Sequence, residues 1–273
     1  MKFSPIEASN EITAKYVRYL STIFSIADDN YSAQFREQLG NQKMFAAGPY
    51  LDVTDSFEKG ASLDTLIKQG TIHPDFSMVS MPKQRPLYRH QEIALQKIMD
   101  GRNVVVSTGT GSGKTECFLI PILNELVSLH AAGKLGPGVR ALLIYPMNAL
   151  ANDQVERLRS LLKDTPFITY GSYTGQTKHH YDEALADYRV LNGGEKPAKN
   201  ELICRDQMKE TPPNILITNY AMLEYLMVRP ADTVFFDGGK GKLWRYIVLD
   251  EAHVYNGSTG IEVSMLLNGF RRA

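Results

Sequence analysis

The chain has 273 residues, 43% of them hydrophobic and 22% charged, which is the mix of a packed globular protein and excludes wholesale disorder. Thirty Lys and Arg balance thirty Asp and Glu, so a globally basic nucleic-acid binder is excluded, though a local groove is not. Cys117 and Cys204 lie too far apart for a disulfide framework or a zinc site, and neither an apolar leader nor an apolar run of ~18 residues is visible. A cytoplasmic protein with no membrane partner is expected.

In chain order, Ile12, Tyr16, Leu20, Ile23, Phe24 and Ala27, then Phe35 and Leu39, recur at helical spacing. Ser9 or Asn10 is a candidate cap, and Asp28-Asp29-Asn30 divides the stretch into two helices. Residues 48–86 are rich in Pro and Gly and read as an adaptor, so 1–85 forms a helical, loop-rich N-terminal accessory region. After Leu87 short apolar runs (103–107, 140–145, 167–173, 214–218 and 246–249) alternate with helical patterns at 87–99, 114–130, 148–162 and 221–228. Nearly continuous apolar runs of that length predict strands buried on both faces of a parallel sheet with right-handed helical crossovers. Residues 177–213 are polar and carry Gly193-Gly194 and Pro212-Pro213, so they read as a helical insertion or partly mobile loop. In such a sheet the functional residues belong just past the strand ends.

The run 103–107 leads into Thr108-Gly109-Thr110-Gly111-Ser112-Gly113-Lys114-Thr115 and then a long helix. Strand, glycine-rich turn and helix N-terminus together make a phosphate-binding loop, in which backbone N–H groups and the helix dipole receive the negative charge. Lys114 is expected to reach the β- and γ-phosphates of ATP, and the Thr115 hydroxyl to hold Mg²⁺. The strict pattern begins with glycine where this chain has Thr108, a departure that marks a subclass. The run 246–249 ends in Asp250-Glu251-Ala252-His253, the position of a second Mg²⁺ contact. Asp250 is assigned to the metal, Glu251 to the attacking water, and His253 to relaying nucleotide state to another domain.

These two motifs resemble those of superfamily 2 helicases of the DEAD/DEAH-box type, over residues 86–273. The resemblance implies a RecA-like P-loop domain: an α/β fold with a mostly parallel sheet flanked by helices, here with a helical N-terminal appendage. Leu87-Tyr88-Arg89-His90-Gln91 resembles the adenine-recognising glutamine motif, which makes Gln91 a base-edge contact and Tyr88 a stacking partner. Tyr145-Pro146-Met147-Asn148-Ala149-Leu150-Ala151 resembles a loop that grips the nucleic-acid backbone. Tyr173-Thr174-Gly175-Gln176-Thr177 and Thr218-Asn219-Tyr220-Ala221 resemble two more. Asn148, Ala149, Thr174, Gly175, Thr218 and Asn219 are the contacts this implies, with Met147-Asn148 standing where many relatives have Thr-Lys. Together with the tail after His253, these segments are similar to bacterial DNA helicases of the YprA/Lhr-like kind, a group that includes phage-defence and repair enzymes.

The expected function is an ATP- and Mg²⁺-dependent DNA helicase or translocase acting on single-stranded or forked DNA. An RNA helicase, a nucleotide-gated DNA sensor and a restriction-type translocase are the alternatives. The family's ATP cleft is completed by a second RecA-like domain, which is not recognisable here, so that domain or a companion subunit is an expected partner. Among the remaining residues, His179-His180 reads as solvated loop, Cys117 as a buried thiol, Met222, Leu226 and Met227 as core, and Lys240 and Lys242 as a flexible turn.

Overall fold

Alternate residues of one central strand enter two different cores, and this arrangement organises the molecule. In the computed structural model, which describes residues 4–24, 26–41, 56–109 and 111–270, the chain divides into two units, Met1–Ser56 and Phe57–Ala273.

The first unit holds α1 (Pro5–Ile23) and α2 (Asp29–Gly40). The cap of α1 is Ser4, whose hydroxyl accepts from the Glu7 N–H, with Pro5 in the favoured first position, rather than Ser9 or Asn10. Asp28 caps α2 by accepting from the N–H groups of Asn30 and Tyr31, so the Asp28-Asp29-Asn30 break is a helix start. Phe24 and Phe35 meet edge to face at 6.1 Å.

The second unit begins at Phe57, upstream of the boundary expected near residue 85. Strand β1 (Lys59–Ser62) pairs antiparallel with β2 (Pro86–Tyr88), and α3 (Leu63–Lys68) and a 3-10 turn (Pro74–Met78) lie between them in the chain. This segment is core, since Leu63, Leu66, Ile72, Phe76 and Val79 are buried in the larger hydrophobic cluster. Its Pro and Gly content hid that role, because turns between short elements are proline-rich whether or not the intervening residues are buried.

Helices α4 (Arg89–Met99) and α5 (Lys114–Ala131) follow, then β3 (Ala141–Tyr145), α6 (Asn148–Leu161) and β4 (Tyr170–Ser172). Next come α7 (Tyr181–Leu191), β5 (Glu201–Leu202), α8 (Arg205–Glu210), β6 (Ile215–Asn219) and α9 (Tyr220–Val228). The unit ends with β7 (Tyr246–Leu249) and α10 (Gly257–Phe270). The five strands β5-β4-β6-β3-β7 form one sheet, and every pairing in it is parallel.

Every residue of β3 is buried. Ala141, Leu143 and Tyr145 face the larger cluster with Leu119, Leu123, Leu126 and Leu158, while Leu142 and Ile144 face the smaller one with Met208, Met222, Leu223, Leu226 and Phe235. At ~1.5–3 kcal/mol for each large side chain removed from water, both faces hold the strand in register.

Two further sequence expectations change. Residues 103–107 carry strand-like composition but join no sheet, and Val105 is 95% exposed. The outer edge of β7 pairs with no described residue, and Asn103 and Val104 line a cavity of about 580 Å³ together with Ile247 and Leu249 of that strand. A strand is defined by its ladder, and 103–107 forms none with any described residue. The second change is at 177–213, where the expected insertion supplies α7, α8 and the edge strand β5. Its polar residues find partners largely on the neighbouring elements. The Arg159 guanidinium on α6 donates twice to the Glu201 carboxylate at 2.8 Å, and the Tyr170 and Tyr188 hydroxyls donate to the same carboxylate.

Candidate nucleotide site and strand-end loops

Parallel pairing brings the ends of the core strands to one edge. Tyr145 is opposite Asn219, Ile144 is opposite both Thr218 and Leu249, and Ser172 is opposite Ile217. The residues that follow each strand are therefore neighbours in space although the paired strand ends are 45 to 105 positions apart in sequence.

The phosphate loop enters α5. Gly111 and Gly113 have φ of +73° and +72°, a left-handed backbone in which an L side chain is strained. Thr110 lies outside the described residues. The Lys114 ammonium donates to the Thr108 carbonyl at 3.0 Å, and the Thr108 and Ser112 hydroxyls are 2.6 Å apart. Thr108 thus works through its side chain, which the glycine of the strict pattern lacks. Gly109 is exposed, whereas Lys114 and Thr115 are half-buried.

Gln91 is buried, with both ends of its amide in use. Its oxygen accepts from the Tyr88 N–H at 2.8 Å and its nitrogen donates to the Gly113 carbonyl at 2.9 Å. Gln91 therefore ties the β2–α4 corner to the phosphate loop. His90, which the sequence did not single out, lies beside it, with Nε2 3.0 Å from the Ser112 carbonyl. The Tyr88 ring stacks on His90 at 5.7 Å, and Phe57 packs on both, at 5.2 Å from Tyr88 and 5.5 Å from His90. Phe57 could not be found from spacing, because the β1–β2 ladder brings it to Tyr88 from 31 positions away.

At the end of β7, the Asp250 N–H donates to the Ile144 carbonyl and its Oδ1 accepts from the Glu251 N–H at 2.9 Å. Glu251 has φ of 49°, the only positive φ at a non-glycine among the described residues. Its carboxylate lies 3.3 Å from Nδ1 of His253, whose side chain is 78% exposed. Two phenols close to Asp250, those of Tyr145 and Tyr255, have buried hydroxyls without a hydrogen-bond partner among the described residues. Burial, with the Asp250 charge, pushes both phenols up, that of Tyr255 to about 12. The buried Oε2 of Glu116, in the first turn of α5, is unpaired as well, while its Oε1 meets Arg157 of α6.

This donor set suits Mg²⁺. The ion takes oxygen ligands and retains water, and the site offers the Thr115 hydroxyl, the Asp250 carboxylate and orphaned hydroxyls able to bond a hydration shell. No group of three His, Cys, Asp or Glu side chains clusters among the described residues.

The three loops expected to face nucleic acid differ in what they expose. Asn148 and Asn219 are half-buried and joined by a 2.9 Å hydrogen bond from Nδ2 of Asn219 to Oδ1 of Asn148; Ala149 is exposed at the start of α6. Gly175 is exposed. Thr174 and Thr218 have buried side chains: the Thr174 hydroxyl accepts from the Gln176 N–H, and the Thr218 hydroxyl donates to the Tyr173 carbonyl at 2.7 Å. Their hydroxyls shape the loops from within.

Comparison with known proteins agrees with this architecture. The Druantia protein DruE of Escherichia coli is 28% identical, over 92% of this chain and 18% of its own length. An ATP-dependent helicase of Bacillus subtilis, YprA, is 30% identical over 68% of this chain and 20% of its own. The crystal structure of the DUF1998 helicase MrfA bound to DNA superposes with a TM-score of 0.58 and 24% identity, covering 80% of this chain and 24% of that one, a likeness of fold. The chain thus spans a fifth or less of the length of these two curated relatives. The family model for the DEAD/DEAH box helicases matches residues 88–271, and the chain belongs to that family.

Proposed function

We propose that these residues form the ATP- and Mg²⁺-binding motor unit of a DNA helicase or translocase. The observation that carries the reading is the phosphate loop, in which left-handed Gly111 and Gly113 open onto the N-terminus of an 18-residue helix whose first residue is Lys114. Lys114, released from the Thr108 carbonyl, is the cation that meets the terminal phosphates. Thr115 and Asp250 hold the ion, with the Tyr145 and Tyr255 hydroxyls bonding its water shell. Glu251 orients the attacking water and takes its proton. The aromatic surface of Tyr88, His90 and Phe57 receives the base, and Gln91 reports its presence to the loop through Gly113. Asn148, Ala149, Gly175 and Asn219 present nucleic-acid contacts along the strand-end edge, while Thr174 and Thr218 hold those loops in shape. His253, exposed and paired with Glu251, signals to a second RecA-like domain or a companion subunit. The relatives' description as ATP-dependent helicases supports the activity, and the likeness of the Tyr145–Ala151 segment to DNA helicases favours DNA.

The test is ATP turnover by the full protein with single-stranded DNA, with RNA and with neither. Stimulation by DNA is expected, along with loss of turnover in Lys114→Ala. Stimulation by RNA alone would move the substrate to RNA, and turnover unchanged in a folded Lys114→Ala protein would overturn the site.

A further inference from the structure

The backbone of the loop after β4 can be accounted for group by group. The Tyr173 N–H donates to the Ile217 carbonyl, that of Thr174 to the Thr177 hydroxyl, that of Gln176 to the Thr174 hydroxyl and that of Thr177 to the Thr174 carbonyl. The Thr177 hydroxyl in turn donates to the Ser172 carbonyl at 2.7 Å. The exposed Gly175 is left as the one N–H of residues 173–177 with no acceptor among the described residues. The carbonyls on either side of it are drawn inward by a single side chain. Arg205, the first residue of α8 and only 8% exposed, donates from Nη2 to the Thr174 carbonyl at 2.9 Å and from Nε to the Thr177 carbonyl at 3.0 Å. Its guanidinium lies 5.1 Å from the centre of the Tyr173 ring, and its own N–H donates to the Lys178 carbonyl. One turn further along α8, Lys209 pairs at 2.9 Å with buried Asp232, which also accepts from the Tyr173 hydroxyl at 2.6 Å.

We infer that Arg205 is a positioning residue for nucleic-acid binding. By gathering both loop carbonyls, it turns the Gly175 N–H outward for a phosphate oxygen. The planar guanidinium suits this task because its donors are fixed in a fork, whereas one ammonium cannot hold two carbonyls at a set separation. Arg205 is itself buried beneath the loop, so it fixes the shape of the contact without making it. The polar segment 177–213 thereby gains a role as the brace of a contact loop. The inference rests on the proposed function.

The experiment measures affinity of the full protein for a fluorescent single-stranded oligodeoxythymidylate across a salt series, with nucleotide affinity and melting temperature read in parallel. Arg205→Gln is expected to weaken DNA binding about tenfold or more while nucleotide affinity holds and the salt slope stays at the wild-type value. A lost direct phosphate contact would instead lower the slope by about one, and that result would overturn the positioning role. Arg205→Lys should lie between wild type and Gln, and wild-type affinity in a folded Arg205→Lys or Arg205→Gln protein also overturns it. Lys209→Gln removes a charge from the same helix at its Asp232 end, so it lowers stability but keeps DNA affinity; a loss equal to that of Arg205→Gln would reduce the effect to general destabilisation and overturn the inference. Gly175→Pro removes the N–H itself, at a position where an added Cβ meets nothing within 4 Å. It should weaken binding alone and add little in the Arg205→Gln background; additive losses would mean the two act separately. If the wild-type protein binds no nucleic acid, the proposed function fails and takes this inference with it, an outcome distinct from all of these.

Discussion

Glu251 holds the one left-handed non-glycine backbone among the described residues, at φ 49°. For an L side chain that conformation costs ~1–2 kcal/mol. The cost is sustained because the Glu251 N–H is bound by Asp250 while its carbonyl accepts from the Val254 N–H to start a 3-10 turn. A position under strain and carrying a carboxylate invites separation of stability from chemistry. Glu251→Gly should raise stability by about 1 kcal/mol, seen as a higher melting temperature, while ATP hydrolysis falls at least a hundredfold. Glu251→Gln should bind ATP and fail to turn it over, and hydrolysis within threefold of wild type would assign the base elsewhere. Cys117 offers a different residue-level check. Burial, with the neighbouring Glu116 charge, pushes its thiol up to about 11. A folded-state value raised above the ordinary one means that the neutral thiol favours the fold at low pH. This contribution is complete below pH ~9 and is lost as pH rises through about 11. Cys117 and Cys204 are both buried, so a thiol reagent at pH 8 should label neither in the native protein and both in denaturant.

Among the elements, the joints between helices and strands carry the consequences. Gly113 joins the phosphate loop to α5 at φ +72°, and an added Cβ would run into the Gln91 amide and Glu116. Gly113→Ala should therefore push Gln91 off the Gly113 carbonyl and raise the KM for ATP more than tenfold in a protein that still folds, as read by near-UV circular dichroism. The joint between α6 and β5 is the Arg159–Glu201 pair, whose carboxylate side chain is only 4% exposed. The Glu201 hydrogen bond holds the Arg159 guanidinium above its ordinary range. Arg159→Ala strands a buried carboxylate and should cost ~3–5 kcal/mol in urea unfolding, whereas truncating the exposed Lys15, paired with Glu11 on α1, should cost less than ~0.5 kcal/mol.

Considered as a whole molecule, the sheet is protected unevenly. Strands β3 and β6 are buried on both faces and paired on both edges, while no described residue pairs with the outer edge of β7 beside the 580 Å³ cavity or with residues 103–109. Hydrogen exchange should therefore be slowest in β3 and β6 and fast, near the rate of an unstructured chain, across 103–107. Slow exchange at 103–107 in the isolated chain would show that this segment pairs in solution.

The sequence by itself determined the alternation of strand and helix, the two N-terminal helices, the phosphate loop and the acidic strand end. Each of these is written in local signals, such as an apolar period, a run of glycines before Lys114 or an Asp-Glu pair after four apolar residues, and local signals survive without knowledge of neighbours. The tertiary structure alone decided whether a strand-like run has a ladder, and residues 103–107, with three valines in succession, have none among the described residues. It decided too that the polar stretch 177–213 is ordered, because Arg205, Lys209 and Glu201 find their partners 23 to 42 positions away in Thr174, Thr177, Asp232 and Arg159. It brought Phe57 and His90 against Tyr88 at the candidate nucleotide site and withdrew the Thr174 and Thr218 side chains into the loops. The physical reason is common to all of these: hydrogen bonding and burial are properties of pairs, and a chain records one member of each pair without stating how far away the other lies.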